Sequence, residues 1–146
     1  MREAANRHYE EIPKIVEQYF EKVNEKTGAD YHLFEYYGDQ DAECVIVAMG
    51  SVCETITETI DRLRMENQKV GLIKVRLYRP FAIAHFMKCL PESVKRIAVL
   101  DRTKEPGAAG EPLYLDVVSA LRDTAFADRK VYHGRYGLSS KDTTPE

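Results

Sequence analysis

Apolar side chains change their spacing several times along this chain, and each change marks an element. Over residues 2–26, Ile12, Ile15, Val16, Tyr19, Phe20 and Val23 recur at helical spacing, with Glu10, Glu11, Lys14, Glu17, Glu21 and Lys22 between them. A helix is predicted there, ended by Thr27-Gly28. Pro13 implies a kink or a later start, because proline disfavours helix at the residue before it. Tyr31–Tyr37 is aromatic-rich and predicts a short strand at a sheet edge, centred on residues 33–37. Cys44–Met49 reads CVIVAM, the uninterrupted apolar run of a strand covered on both faces. Ser51 with Glu54 three residues on has the form of a capping box, opening a helix whose buried stripe is Val52, Ile56, Ile60 and Leu63. A strand over Val70–Tyr78, a short helix over Ala82–Leu90 stopped by Pro91, and a strand over Arg96–Leu100 follow. The next segment is rich in turn residues, Pro106, Gly107 and Gly110. Glu111-Pro112 then starts a helix to Thr124, since proline loses nothing at the first helical position. Lys130–His133 is the last strand, and the tail HGRYGLSSKDTTPE is polar.

Strand and helix alternate three times after the edge strand. That order predicts an α/β fold of three layers (α/β/α) around a five-stranded, mostly parallel sheet, with an extra N-terminal helix. The boundaries are expected at 1–28 for a linker helix, 29–134 for the α/β body and 135–146 for a polar connection to a further domain. The first helix begins at residue 2 without a cap, as if cut from a longer protein. A chain of 146 residues with 44% hydrophobic and 31% charged positions is an ordinary globular domain able to bury a core. A net charge of −3 speaks against nucleic-acid binding, and no apolar run nears the roughly 18 residues of a membrane span. MREAANRHYEEI lacks the apolar core of a signal peptide, so the cytoplasm is expected.

Candidate chemistry gathers at one edge. In a parallel sheet the segments Gly50-Ser51, Arg79-Pro80, Asp101–Gly110 and Gly134–Ser140 share the carboxyl side, where open α/β sheets bind ligands. They bring Arg79, Arg102, Lys104 and Arg135 together, with Asp101 and Glu105 among them. Asp101 is the expected partner of Arg102 or of an arginine from a neighbouring loop. Two readings stand: a site for an anion or acidic partner, or a solvated rim of ion pairs worth about 0–1 kcal/mol each. An inter-domain contact satisfies both. The loop after Asp101 exceeds the usual two to six or so residues and is expected to touch something.

Ser51 could aim helix N–H groups at a phosphate, yet Glu54 puts negative charge in the same turn and favours a plain cap. VAMGSVCET has neither GxGxxG nor GxxxxGK[ST]. Cys53 lies in a first helical turn, where a thiol pKa falls, but no histidine is supplied for it, and a buried apolar role is expected. His85 and Cys89 share a helix face, two ligands short of a structural zinc site. Cys44, Cys53 and Cys89 show no CxxC spacing, which disfavours disulfide, zinc and iron–sulfur roles. No residue is assigned to catalysis, cofactor or metal. The interface or anion candidates are Ser51, Arg79, Asp101, Arg102, Lys104, Gly107, Gly110 and Arg135.

Four stretches carry a further signal: VIVAMGSVCETITETID, VGLIKVRLYRPF, IAVLDRTKEPGAAGEPLYLDVVSAL and GRYGLSSKD. They resemble pyruvate:ferredoxin (flavodoxin) oxidoreductase, in its second domain, which is similar to the transketolase C-terminal domain. The likeness runs from REAANRHYEEIP to the chain's end. It implies a five-stranded sheet with one antiparallel strand, and a parent enzyme that oxidatively decarboxylates pyruvate with coenzyme A to acetyl-CoA and reduces ferredoxin or flavodoxin. That parent uses thiamine diphosphate with magnesium and iron–sulfur clusters, serves anaerobic metabolism and is typically a homodimer. The family's thiamine-binding and cluster-binding segments match nothing here. The resemblance therefore implies an inactive, excised domain that positions its neighbours.

Overall fold

A computed structural model describes residues 2–145. Arg2–Thr27 is one helix, α1, with Pro13 inside it, so the helix does not start afresh at the proline. Then come β1 (Phe34–Gly38), β2 (Cys44–Met49), α2 (Val52–Met65), β3 (Val70–Val75), α3 (Ile83–Lys88), β4 (Arg96–Asp101), α4 (Pro112–Leu121) and β5 (Lys130–Arg135), with a short 3-10 turn at Leu138–Ser140.

The five strands form one sheet in the order β1-β3-β2-β4-β5. β1 pairs antiparallel with β3, and every other pair is parallel. This is the α/β architecture expected, with the aromatic strand at the edge as its antiparallel member. The chain leaves central β2 for β3 on one side and then crosses to β4 on the other. The switch point, where ligands of open α/β sheets sit, therefore lies between the carboxyl ends of β2 and β4.

Several boundaries differ from the sequence expectation. β3 stops at Val75 because the Arg76 and Leu77 N–H groups both turn to the Leu33 carbonyl, at 3.0 and 3.1 Å, instead of to the sheet. α4 stops at Leu121, where the Thr124 hydroxyl and N–H both donate to the Leu121 carbonyl. The capping box does not form. Ser51 has helical backbone angles (φ −63, ψ −25) where a capping side chain needs an extended one, and Glu54 pairs with Lys74 of β3 at 3.1 Å.

The two faces are covered unequally. On one, Val45, Val47, Ile73, Ile97 and Val99 meet Phe86 of α3 and Leu113 and Val117 of α4, and α1 leans on this core through Val16 and Phe20. On the other, Ala48 and Leu72 lie under Val52, Ile56 and Ile60 of α2. Full burial of each such aliphatic or aromatic side chain contributes about 1.5–3 kcal/mol. α2 lies over β1, β3 and β2. Among the described residues no helix is long and apolar enough to cross a membrane.

Candidate functional site at the carboxyl edge of the sheet

Asp101 ends β4 and is 2% exposed. Its carboxylate accepts the Leu113 N–H at 3.0 Å and the Tyr114 N–H at 3.1 Å. These are two of the N–H groups that the first turn of α4 leaves without helical partners, at the positive end of its dipole. Asp101 is thus the cap of α4, delivered from a strand. The expected pairing with Arg102 or another arginine does not occur, because both carboxylate oxygens are spent on the helix.

Glu111 occupies the residue position before α4, in extended conformation (φ −82, ψ 162), with no capping bond of its own. Its side chain turns into the long loop and is buried. There it accepts the Glu105 N–H at 2.6 Å and the Arg135 Nε–H at 2.6 Å, with Lys104 Nζ at 3.5 Å. Burial raises the Glu111 pKa, but the Glu105 N–H, Arg135 and Lys104 together outweigh it and hold the carboxyl below the usual glutamate range. The loop is therefore wound around a buried anion. Gly110 completes the turn, since a Cβ there would lie 2.5 Å from the Tyr114 ring. Gly107 sits at φ +75 facing open space. Sequence reasoning missed Glu111 as the anchor of this loop. Its only signal is a glutamate in the capping position before Pro112.

The tail crosses this edge. The Tyr136 N–H donates to the Asp101 carbonyl and its hydroxyl to the Met49 carbonyl, each at 3.2 Å, tying β5 to the ends of β4 and β2. Arg102 is exposed and places its Nε 3.4 Å from the Gly137 carbonyl. A crevice of about 220 Å³ opens at the switch point between Ser51 and Thr55 of the β2–α2 side, Arg102, and Lys141–Thr143 of the tail.

Of the candidate residues, Ser51 and Arg102 thus share one crevice. Lys104, Gly110 and Arg135 belong to the Glu111 loop. Arg79 joins neither: it pairs with Asp116 of α4 at 2.8 Å and lies over the Tyr78 ring. His85 pairs with Glu17 of α1 at 2.9 Å. Burial pushes the Cys53 and Cys89 thiols up, the opposite of what a nucleophile needs. Cys53 stands in the first turn of α2, packed against the sheet, whereas Cys89 contacts the Phe34 carbonyl on the other side of the sheet. Three cysteines on two faces do not fit an iron–sulfur cluster, which takes about four thiolates from one place. No group of three or more metal-ligating side chains suited to an ion occurs among the described residues.

The family model for "Pyruvate:ferredoxin oxidoreductase core domain II" matches residues 42–146. The chain belongs to this family. It is 58% identical over 144 residues to pyruvate:ferredoxin oxidoreductase of Moorella thermoacetica, covering 99% of the chain and 12% of that protein. It is 54% identical to pyruvate-flavodoxin oxidoreductase of Enterobacter agglomerans, with the same coverage. The chain thus spans about 12% of the length of these relatives. Among solved structures, a 2-oxoglutarate:ferredoxin oxidoreductase from Magnetococcus marinus, with 2-oxoglutarate, coenzyme A and succinyl-CoA bound, superposes with a TM-score of 0.54. At 21% identity, covering 79% of this chain and 18% of that one, this likeness bears on the fold alone. The core domain II family and this α/β fold agree with the resemblance read from the sequence.

Proposed function

We propose that this chain is a structural domain of a pyruvate:ferredoxin (flavodoxin) oxidoreductase, and that it positions neighbouring domains without itself performing chemistry. The parent would decarboxylate pyruvate oxidatively, make acetyl-CoA from coenzyme A and reduce ferredoxin or flavodoxin, acting as a homodimer in the cytoplasm. Thiamine diphosphate with magnesium and the iron–sulfur clusters would be held by other domains. One observation carries the reading. The two carboxylates at the carboxyl edge, Asp101 and Glu111, are consumed in fixing the loop of residues 102–110, Glu111 together with Lys104 and Arg135, which leaves Arg102 exposed on the surface so formed. A surface held in this way suits contact with a neighbouring domain, and neither carboxylate is free to act as a general acid or base. Residues 1–28 would serve as a linker helix, 29–134 as the body and 135–146 as the connection onward. The purified chain, given pyruvate, coenzyme A, thiamine diphosphate and magnesium, is expected to reduce no viologen dye; turnover above background refutes the proposal.

A second reading has its own support in the crevice between Ser51 and Arg102. Glu54 has turned to Lys74, so it does not place negative charge against an anion there. Coenzyme A phosphate or a regulatory anion would then bind. Calorimetry with coenzyme A, phosphate and sulfate separates the readings: heat lost on Arg102→Ala supports the module, and silence supports the scaffold.

A further inference from the structure

We propose that the sheet face over β4 and β5, on the side of α2, seats an amphipathic helix from elsewhere in the longer polypeptide. That helix would carry an aliphatic stripe, with carboxylates at the end that meets Arg96 and Lys130. The inference rests on the reading of this chain as one domain of such a polypeptide.

Parallel strands need cover on both faces, because their residues are apolar on both. α2 lies over β1, β3 and β2 and reaches β4 at Leu100, which leaves Ala98 half-buried and Tyr132 exposed on its side. Strands lie about 4.8 Å apart, so two of them present a strip roughly 10 Å wide, which is the diameter of one helix. A groove of about 320 Å³ marks the strip, floored by Ile46 and Ala98 and walled by Leu63 and Tyr132. Tyr132 stands 51% exposed on this face of β5. Chain already closes the groove's carboxyl end: Tyr136 packs into the cluster under α2, and the Thr59 hydroxyl reaches the Pro145 carbonyl at 3.5 Å.

The amino end is open and basic. Arg96 and Lys130 face each other in register across β4 and β5, and both are exposed. Among the described residues neither has a carboxylate within 4.0 Å, whereas neighbouring Lys95 and Arg129 are paired with Glu43 and Asp128. An apolar strip ending in two exposed cations that make no ion-pair contact selects an occupant with acidic residues at one end. A second copy seated on this face with its strands running the same way would bring the same cations against the first, which like-charge repulsion disfavours.

The test uses the whole chain and a helix-stapled peptide of about 14 residues, long enough to run the length of a strand. The peptide has leucines at i, i+3, i+4 and i+7 and glutamates at one end; a matched peptide carries lysines instead. Binding is read by fluorescence anisotropy, and its location by amide NMR shifts. The acidic peptide is expected to bind at least about tenfold more tightly than the basic one, with shifts centred on Ile46, Ala98 and Tyr132. The pair Arg96→Glu and Lys130→Glu should invert the preference. Tyr132→Glu should abolish binding while circular dichroism stays native. Equal affinity for both peptides, or shifts away from this face, overturns the proposal. So does a dimer seen in sedimentation and lost in Tyr132→Glu, which would make a second copy the occupant. Binding of neither peptide likewise overturns the proposal and leaves the viologen result untouched, whereas turnover by the chain would refute the scaffold reading whatever the peptide does.

Discussion

Replacing Asp101 with alanine tests how the loop after β4 is held. The carboxylate accepts the Leu113 and Tyr114 N–H groups, and Leu113 is fully buried, so no water can take its place at that N–H. Loss of a helix cap costs about 0.5–2 kcal/mol, and stranding a buried donor costs about 1–3 kcal/mol. The two describe overlapping parts of one event, so about 2–3 kcal/mol is expected in total rather than their sum. At about 2–4 °C per kcal/mol for a domain of this size, the melting temperature should fall by about 4–12 °C. Asp101→Asn keeps one acceptor but sets an amide NH₂ against the other N–H, and should cost about 1–2 kcal/mol. Arg102→Ala is the control, because Arg102 is exposed and its Nε reaches only the Gly137 carbonyl, at 3.4 Å. It should stay within about 0.5 kcal/mol of the parent. Urea denaturation followed by circular dichroism, with the slope m unchanged, gives all three values. The capping account fails if Asp101→Ala costs less than about 0.5 kcal/mol. It also fails if Arg102→Ala costs as much as Asp101→Ala and the double variant no more than either, since that pattern marks an ion pair.

Glu111 titrates below its usual range in the folded chain, so it contributes stability that is present above its unfolded pKa and lost as pH falls through the folded one. Glu111→Gln should therefore flatten the acid limb of the urea midpoint against pH, and its curve should meet the parent's only in acid; curves that stay parallel would refute the assignment. Gly38→Ala should cost about 2–4 kcal/mol by urea denaturation, since φ is +136 and a Cβ would lie 2.6 Å from the Gly71 Cα and the Val70 carbonyl oxygen, which are backbone atoms that cannot swing aside. Gly110→Val should change near-ultraviolet circular dichroism, because Tyr114 must leave its stack on His133 (ring centroids 4.9 Å apart). A Cβ at Gly107 would meet no atom within 4 Å, so Gly107→Ala should cost about 1–2 kcal/mol from the left-handed backbone alone, with the aromatic signal unchanged.

The sheet was legible in the sequence because its signals are local. CVIVAM and RIAVL are self-contained apolar runs, and YHLFEYY announced an edge by its aromatic residues. The connections at the carboxyl edge were not legible, because their partners are distant in sequence. Asp101 caps residues 12 and 13 positions further on, whereas capping rules look three positions ahead. Ser51 and Glu54 had the right spacing, and Lys74 on β3 took the glutamate away. Its place after a strand puts Arg79 with the other cations in the sequence. Asp116 on α4, 37 residues later, drew it elsewhere.

Whether the switch-point crevice binds an anion turns on how much free energy its groups can supply. The first turn of α4 is already capped by Asp101, so only the N-terminus of α2, Arg102 and Lys141 remain to face a phosphate. The helix end contributes about 0.3–1 kcal/mol, and one charged hydrogen bond from Arg102 about 1.5–3 kcal/mol. Lys141 is exposed and lies beside Asp142, which cancels much of its field. The sum is roughly 2–4 kcal/mol, which is a dissociation constant of about 1 mM or weaker. Calorimetry with inorganic phosphate is therefore expected to give millimolar binding at best, weakening further with salt as exposed charges are screened. Micromolar binding that survives physiological salt and disappears in Arg102→Ala would exceed what these groups can supply. It would mean that the tail closes on the ligand, and that the edge is a binding site before it is a contact surface.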